Sequence, residues 1–136
     1  MDIIRRNTDY ALRLMVHLAA NFDTGAISSR VLSEEEDVSY QLTCKLLQKL
    51  NDAGFVKSTR GANGGFSLRL PPSEINILDV IESIQGPLVL NRCLHIKDAC
   101  PRQDRCPITG KLRGLQDHLT ESLTGITMAD LAETAA

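Results

Sequence analysis

The glycine-rich hexapeptide Arg60-Gly61-Ala62-Asn63-Gly64-Gly65 constrains this chain more than any other segment. It lies between Phe55-Val56-Lys57-Ser58 and Phe66-Ser67-Leu68-Arg69-Leu70, two short runs that read as strands. A tight turn between such runs makes a hairpin, and Asn63, Gly64 and Gly65 are expected to supply the positive φ angles of its tip.

Upstream of the hairpin the pattern is helical. Thr8 is expected to cap a first helix in which Tyr10, Ala11, Leu14, Met15 and Leu18 recur at helical spacing, with Asp9 in the first turn. Gly25 lies in the loop that ends it. Ser28 or Ser29 opens a short second helix that runs into Glu34-Glu35-Glu36-Asp37, an acidic run expected to be a solvated helix end. Ser39 caps a third helix with apolar positions at Leu42, Leu46, Leu47 and Leu50, and Gly54 stops it. The second and third helices, joined by a tight turn, make a helix-turn-helix.

Helix, helix, recognition helix and hairpin form the chain order of a winged helix-turn-helix. In that arrangement the third helix enters the DNA major groove and the wing meets phosphates or the minor groove. Ser39, Tyr40, Gln41 and Thr43, early in the third helix, are the candidates for base edges. Lys45, Lys49 and Arg60 are candidates for phosphates, and Asn63 and Gly64 place the wing tip against the duplex. The formal net charge of the whole chain is −2, which does not by itself advertise a nucleic-acid partner. The distribution does: Lys45, Lys49, Lys57, Arg60 and Arg69 face only Asp52 within residues 39–69.

With 136 residues and 43% hydrophobic content the chain is large enough for a real core, and with no Trp that core is aliphatic. A fourth helix is expected over Ile75 to Gln85, ended by Gly86-Pro87. From Pro107 to Leu123 a long helix carries Ile108, Leu112, Leu115, Leu119 and Leu123 in a near-heptad stripe. Such a stripe needs a partner, and the reading favoured here is the same helix of a second subunit, with Leu112, Leu115, Leu119 and Leu123 at the seam. Thr127 then caps a short last helix to about Ala132. The fold class is therefore mainly α, with residues 1–72 as the DNA-binding unit and residues 73–136 carrying a polar loop and the dimerisation helices.

That polar loop holds Cys93, Cys100 and Cys106. No run approaches the roughly 18 apolar residues needed to span a bilayer, and the N-terminus lacks the pattern of a secretory signal, so a cytoplasmic protein without membrane contact is expected. In a reducing compartment clustered cysteines point to metal or redox chemistry and away from a disulfide framework. The thiolates suit iron-sulfur ligation. Zinc, with His95 or His118 as a fourth ligand, and a bare thiol sensor are the alternatives. Cys44, alone in the third helix, is expected to act as a small packed hydrophobe. His17 and His118 are expected to have ordinary packing or surface roles. An enzyme is disfavoured: no paired acid and base accompanies the cysteines, and no nucleotide-binding glycine pattern follows a strand and opens a helix.

Several segments together carry a family resemblance. Asn7-Thr8-Asp9-Tyr10-Ala11-Leu12-Arg13, Thr59-Arg60-Gly61-Ala62-Asn63-Gly64-Gly65, Pro72-Ser73-Glu74-Ile75, the triple-cysteine loop and Ile126-Thr127-Met128-Ala129-Asp130-Leu131 resemble the iron-sulfur regulators of the Rrf2 family. The resemblance spans essentially the whole chain. It implies a dimeric winged-helix repressor that binds double-stranded operator DNA, with Cys93, Cys100 and Cys106 holding an iron-sulfur cluster, of the 4Fe-4S type in preference to 2Fe-2S. Between the cysteines lie six and then five residues, and the first gap departs from the five and five usual in the family's two best-known branches. The isc-operon branch has a histidine where this chain has Thr109. The nitric-oxide-sensing branch takes an aspartate from the first helix of the other subunit, which implies Asp9 as the non-cysteine ligand. Signals implied by the resemblance are nitric oxide, redox state and iron-sulfur status.

Overall fold

The computed structural model describes residues 2–135, so Met1 and Ala136, the outer ends of the two expected units, lie outside the described residues. Six helices and one hairpin follow in chain order. They are α1 (Arg6–Ala20), α2 (Ser29–Glu35), α3 (Tyr40–Asp52), β1 (Val56–Thr59), β2 (Gly65–Leu68), α4 (Ile77–Gln85), α5 (Pro107–Thr124) and α6 (Met128–Ala135), with short 3-10 turns between several of them. This is the mainly helical winged helix that the sequence predicts.

Local chemistry sets most helix ends. Ser28 accepts a hydrogen bond from the Val31 N–H at 3.2 Å and Ser39 from the Leu42 N–H at 3.3 Å, so each hydroxyl satisfies a backbone donor that the first turn leaves free. Thr127 and Asp130 cap α6 reciprocally, through bonds of 3.2 and 2.9 Å. α3 closes with a Schellman pair: the Phe55 N–H reaches the Leu50 carbonyl and the Gly54 N–H the Asn51 carbonyl, both at 3.0 Å, while Gly54 takes φ 87°. Thr8 is not the cap of α1. The helix starts one turn earlier, at Arg6, because the Arg5 N–H is held by the Gln85 side chain at 3.0 Å, and Thr8 is fully buried.

The wing is antiparallel, with Val56 opposite Leu68 and Thr59 opposite Gly65. Positive φ occurs at Gly61 (108°) and Gly65 (147°), not at Asn63 or Gly64, which corrects the expected tip geometry. Gly64 is required for a steric reason: a Cβ there would collide with the Thr59 carbonyl oxygen. At Gly65 a Cβ would meet the Ile27 backbone, because Ile27 and Phe66 exchange two backbone hydrogen bonds of 2.9 and 2.7 Å. That bridge fastens the wing to the loop before α2, so hairpin and helix-turn-helix form one body.

One core joins these elements. Leu14, Met15, Leu46, Leu47, Leu50, Val56, Ile75, Val80 and Met128 are buried together, so the core runs through residue 72 without a break. Each fully buried aliphatic side chain of this size contributes about 1.5–3 kcal/mol. The last helix packs against the first, and its start is tied to the start of α4: the Ile77 N–H bonds the Ile126 carbonyl and the Met128 N–H the Ile75 carbonyl, both at 2.8 Å, and Leu131 packs on the core. A smaller cluster of Leu78, Ile81 and Leu88 receives Leu119 and Leu123 from α5. The stripe of α5 is therefore divided. Its C-terminal half is covered within the chain, while Leu112 is half-buried and Ile108 and Leu115 stand 64% and 59% exposed.

Candidate nucleic-acid interface and cysteine loop

Among the four residues expected at base edges, the structure separates exposed from buried. Ser39 is exposed but its hydroxyl is engaged as the cap of α3. Tyr40 and Gln41 are exposed on the first turn. Thr43 is completely buried, with no hydrogen-bond partner for its hydroxyl, and cannot reach a base. It lies on the same helix face as Leu46, Leu47 and Leu50, and this i, i+3, i+4, i+7 spacing is a core signal. Lys45 and Lys49 on α3 and Arg60 and Asn63 at the wing tip are all exposed, and Gly64 is half-buried beneath the tip. One residue of this surface escapes sequence reasoning. Arg30 of α2 places its guanidinium carbon 4.3 Å from the centroid of the Tyr40 ring, a cation–π stack that only the folded turn brings together.

His17 also departs from expectation. It is mostly buried, and its two ring nitrogens face Glu36 at 2.8 Å and Glu35 at 3.1 Å, while the Arg13 guanidinium donates to the Glu36 carbonyl at 3.1 Å. The acidic run is therefore partly a clamp that ties the end of α2 to α1. The turn that follows places Asp37 at φ 54°.

The loop between α4 and α5 is shaped by one carboxylate and two side-chain amides. Glu82 accepts from the Leu88 N–H at 3.0 Å, and Gln116 of α5 donates to the Leu88 carbonyl at 2.9 Å and accepts from the Leu90 N–H at 2.8 Å. Gln103 donates to the carbonyls of Cys93 and Ile96 and accepts from the Ala99 N–H, so one side chain ties three points of the loop. Neither glutamine has a sequence signal, since each acts on backbone groups that only the folded loop presents. Cys93 is buried, Cys106 half-buried and Cys100 exposed, and all three line one cavity of about 250 Å3 with Ile108 and Thr109.

Cys106 is the N-cap residue of α5. It forms no close capping bond, yet the Thr109 N–H, the Thr109 hydroxyl and the Ile108 N–H direct their positive ends at its sulfur and lower the thiol pKa; Arg102 adds to this, and partial desolvation opposes it. A lowered pKa makes thiolate available at a pH where an ordinary thiol is still protonated. Among the described residues no three His, Cys, Asp or Glu side chains converge tightly enough to hold a single metal ion. His95 and His118 are exposed, and Thr109 is buried. Asp9 lies on α1 with its side chain 62% exposed, 3.9 Å from Arg13, and does not line the cysteine cavity of its own chain. Cys44 is half-buried in α3, apart from the other three.

Comparison with known proteins agrees with this architecture. The Rrf2 family model, described as iron-dependent transcriptional regulator, matches residues 4–134. The protein aau3 of Rhizobium meliloti is 33% identical over 133 residues, covering 96% of this chain and 84% of the relative. The HTH-type transcriptional regulator IscR of Aliivibrio salmonicida is 31% identical, covering 90% of this chain and 72% of the relative. Among solved structures, CymR, the global cysteine regulator of B. subtilis, superposes with TM-score 0.82 at 28% identity over 98% of both chains, and IscR of T. potens with 0.79 at 26% over 98% of this chain and 88% of the other. No helix among the described residues is long and apolar enough to cross a membrane. A family match over nearly the whole length, relatives that are transcriptional regulators, and the winged-helix fold together lead to one conclusion: the chain belongs to the Rrf2 family of transcriptional regulators.

Proposed function

We propose that the protein is a homodimeric, operator-binding repressor whose hold on DNA is set by an iron-sulfur cluster on Cys93, Cys100 and Cys106, with the partner subunit's Asp9 as the non-cysteine ligand. The observation that carries this reading is the meeting of three soft sulfur donors on one cavity, one of them biased toward thiolate. The donor set fits an iron-sulfur cluster, and the similarity to IscR supports that much; the 4Fe-4S type, in preference to 2Fe-2S, is part of the proposal alone. When bound, the cluster supplies a group that oxidation, nitric oxide or loss of iron can alter. The partner's Asp9 would hold the cluster through a carboxylate, a ligand that would exchange more readily than thiolate. The chain's own contribution is mechanical. Glu82 and Gln116 fasten the loop to α4 and α5, and α4 packs against α1 and α3, so a change of loop shape is transmitted to the reading head.

On DNA, Gln41 and Tyr40 address base edges in the major groove while Lys45, Lys49 and the wing residues Arg60, Asn63 and Gly64 meet the backbone or minor groove. Gel shift with anaerobically prepared protein tests the regulation. The cluster-loaded and metal-free forms are expected to differ at least tenfold in operator affinity, and Asp9→Ala is expected to shrink that ratio while the cluster still assembles. Equal affinities of the loaded and metal-free forms would contradict the reading.

The dimer makes a separate demand. Leu115 is exposed in the single chain, so Leu115→Asp should leave the monomer fold intact but place a charge in the proposed seam, which is strongly unfavourable. Light scattering at micromolar concentration should then report a monomer where the unmodified protein is a dimer; a persistent dimer would put the interface elsewhere.

A second reading has its own support. The likeness to CymR, a cysteine regulator, and the exposure of Cys100 favour a sensor that works through bare thiols. Such a sensor would bind DNA equally well after iron is removed and would respond to thiol oxidants alone.

A further inference from the structure

The start of α1 opens onto a cleft of about 410 Å3 that shares only Lys49 with the proposed reading surface and nothing with the cysteine loop. Arg5 and Arg6 at the helix start and Lys49 in the last turn of α3 line it, and no carboxylate does. Among the described residues none of these three side chains forms a hydrogen bond or an ion pair. Three like charges gathered on one cleft from two separate helices repel one another and attract an anion.

The neutral donors of the cleft have the same polarity. α1 begins without a side-chain cap, and no described hydrogen bond takes up the N–H groups of Arg6, Asn7 or Thr8. A helix of 15 residues carries a partial positive charge of about +0.5 at this end. Thr8, which also lines the cleft, is fully buried, and its hydroxyl has no partner. Guanidinium, ammonium, backbone N–H and hydroxyl groups with no competing carboxylate are the donor set for a tetrahedral oxyanion.

We infer that this cleft is a phosphate-binding site, in which Arg5, Arg6 and Lys49 supply charge and the free N–H groups of α1 and the Thr8 hydroxyl supply directed donors. The phosphate belongs either to the backbone of operator DNA, flanking the contacts of the recognition helix's first turns and the wing, or to a small phosphorylated molecule. Only the first source rests on the DNA-binding reading. The Gln85 side chain accepts from the Arg5 N–H at 3.0 Å and donates to the Ile3 carbonyl at 2.9 Å, so an anion here would sit beside the end of α4, where the cysteine loop departs.

The test uses the full chain and the double variant Arg5→Gln with Arg6→Gln, which leaves Lys49 of the recognition helix in place, with Lys111→Gln and Arg113→Gln on α5 as a control of equal charge. Affinity for a short duplex selected from random sequence on the unmodified protein is measured across a range of salt. For a backbone phosphate, the slope of log affinity against log salt falls by about 0.9 for each phosphate that is no longer neutralised, or about 1.8 per dimer, in the double variant and not in the control. Calorimetric titration with inorganic phosphate and with a nucleoside monophosphate, at fixed ionic strength, covers the other source. Saturable binding by the unmodified protein that the double variant loses assigns a free phosphate ligand. An unchanged slope together with no saturable phosphate binding would overturn the inference, as would a control whose slope falls as much as that of the double variant. If no duplex is selected at all, the DNA-binding reading fails, and the calorimetry alone decides the cleft.

Discussion

Changing any one of Cys93, Cys100 or Cys106 to Ala is expected to abolish the visible chromophore of anaerobically prepared protein and to remove its bound iron. The three sulfurs line one cavity, and no other His, Cys, Asp or Glu side chain among its lining residues can take the place of a missing thiolate. His95, close to Cys93 in the chain, is exposed and does not line the cavity. The loss should be specific to the cofactor, because Gln103 shapes the loop through the backbone of Cys93 and not through its thiol. Cys100→Ala is the cleanest case, since Cys100 is exposed and its thiol contributes no core packing. Cys44→Ala serves as the control and should retain the chromophore. Retention of full iron content in all three loop variants would remove these cysteines from the site.

The second large effect concerns the wing. Gly65 adopts φ 147°, and a Cβ there would run into the Ile27 backbone, so Gly65→Ala combines conformational strain with a collision. Strain of this kind costs about 1–3 kcal/mol. Relieving it by moving the strand would break the two hydrogen bonds between Ile27 and Phe66, worth about 0.5–1.5 kcal/mol each. Thermal or urea denaturation should therefore show a loss of several kcal/mol, on the order of a third of a typical domain's stability. Operator affinity should fall further than that of Asn63→Ala, which removes only an exposed side chain at the tip. A Gly65→Ala protein with unmodified stability and affinity would mean that the wing is not anchored at Ile27.

Much of this architecture is legible in the residues because its determinants are local. Ser28, Ser39, Gly54 and Thr127 mark helix ends through bonds made within a few positions, and the periodicity of Leu46, Leu47 and Leu50 reports the buried face of α3. Departures arise where distant segments meet. Thr8 beside Asp9 has the form of a helix start, yet Gln85, eighty positions from Arg5, holds the Arg5 N–H, so that α1 begins at Arg6 and Thr8 is buried in its first turn. His17 is held by carboxylates from α2 and its end, and Arg30 lies on Tyr40 across the turn; neither pairing has a period. Thr43 is different, since its spacing from Leu46, Leu47 and Leu50 already puts it on the apolar face, and its polar side chain obscures that signal. The leucine stripe of α5 shows a further limit: even spacing cannot distinguish Leu119 and Leu123, which pack on α4, from Leu115, which is left exposed.

An iron-sulfur cluster held by the cysteine loop requires iron and acid-labile sulfide in the isolated protein. Purification without oxygen, followed by quantitation of iron, acid-labile sulfide and zinc on the same sample, tests it most directly. Iron and sulfide in equal amounts, together with a brown visible absorption, are the predicted result. One zinc per chain with no sulfide and no visible absorption, or a protein free of both metals that still binds its operator and releases it on thiol oxidation, would contradict it.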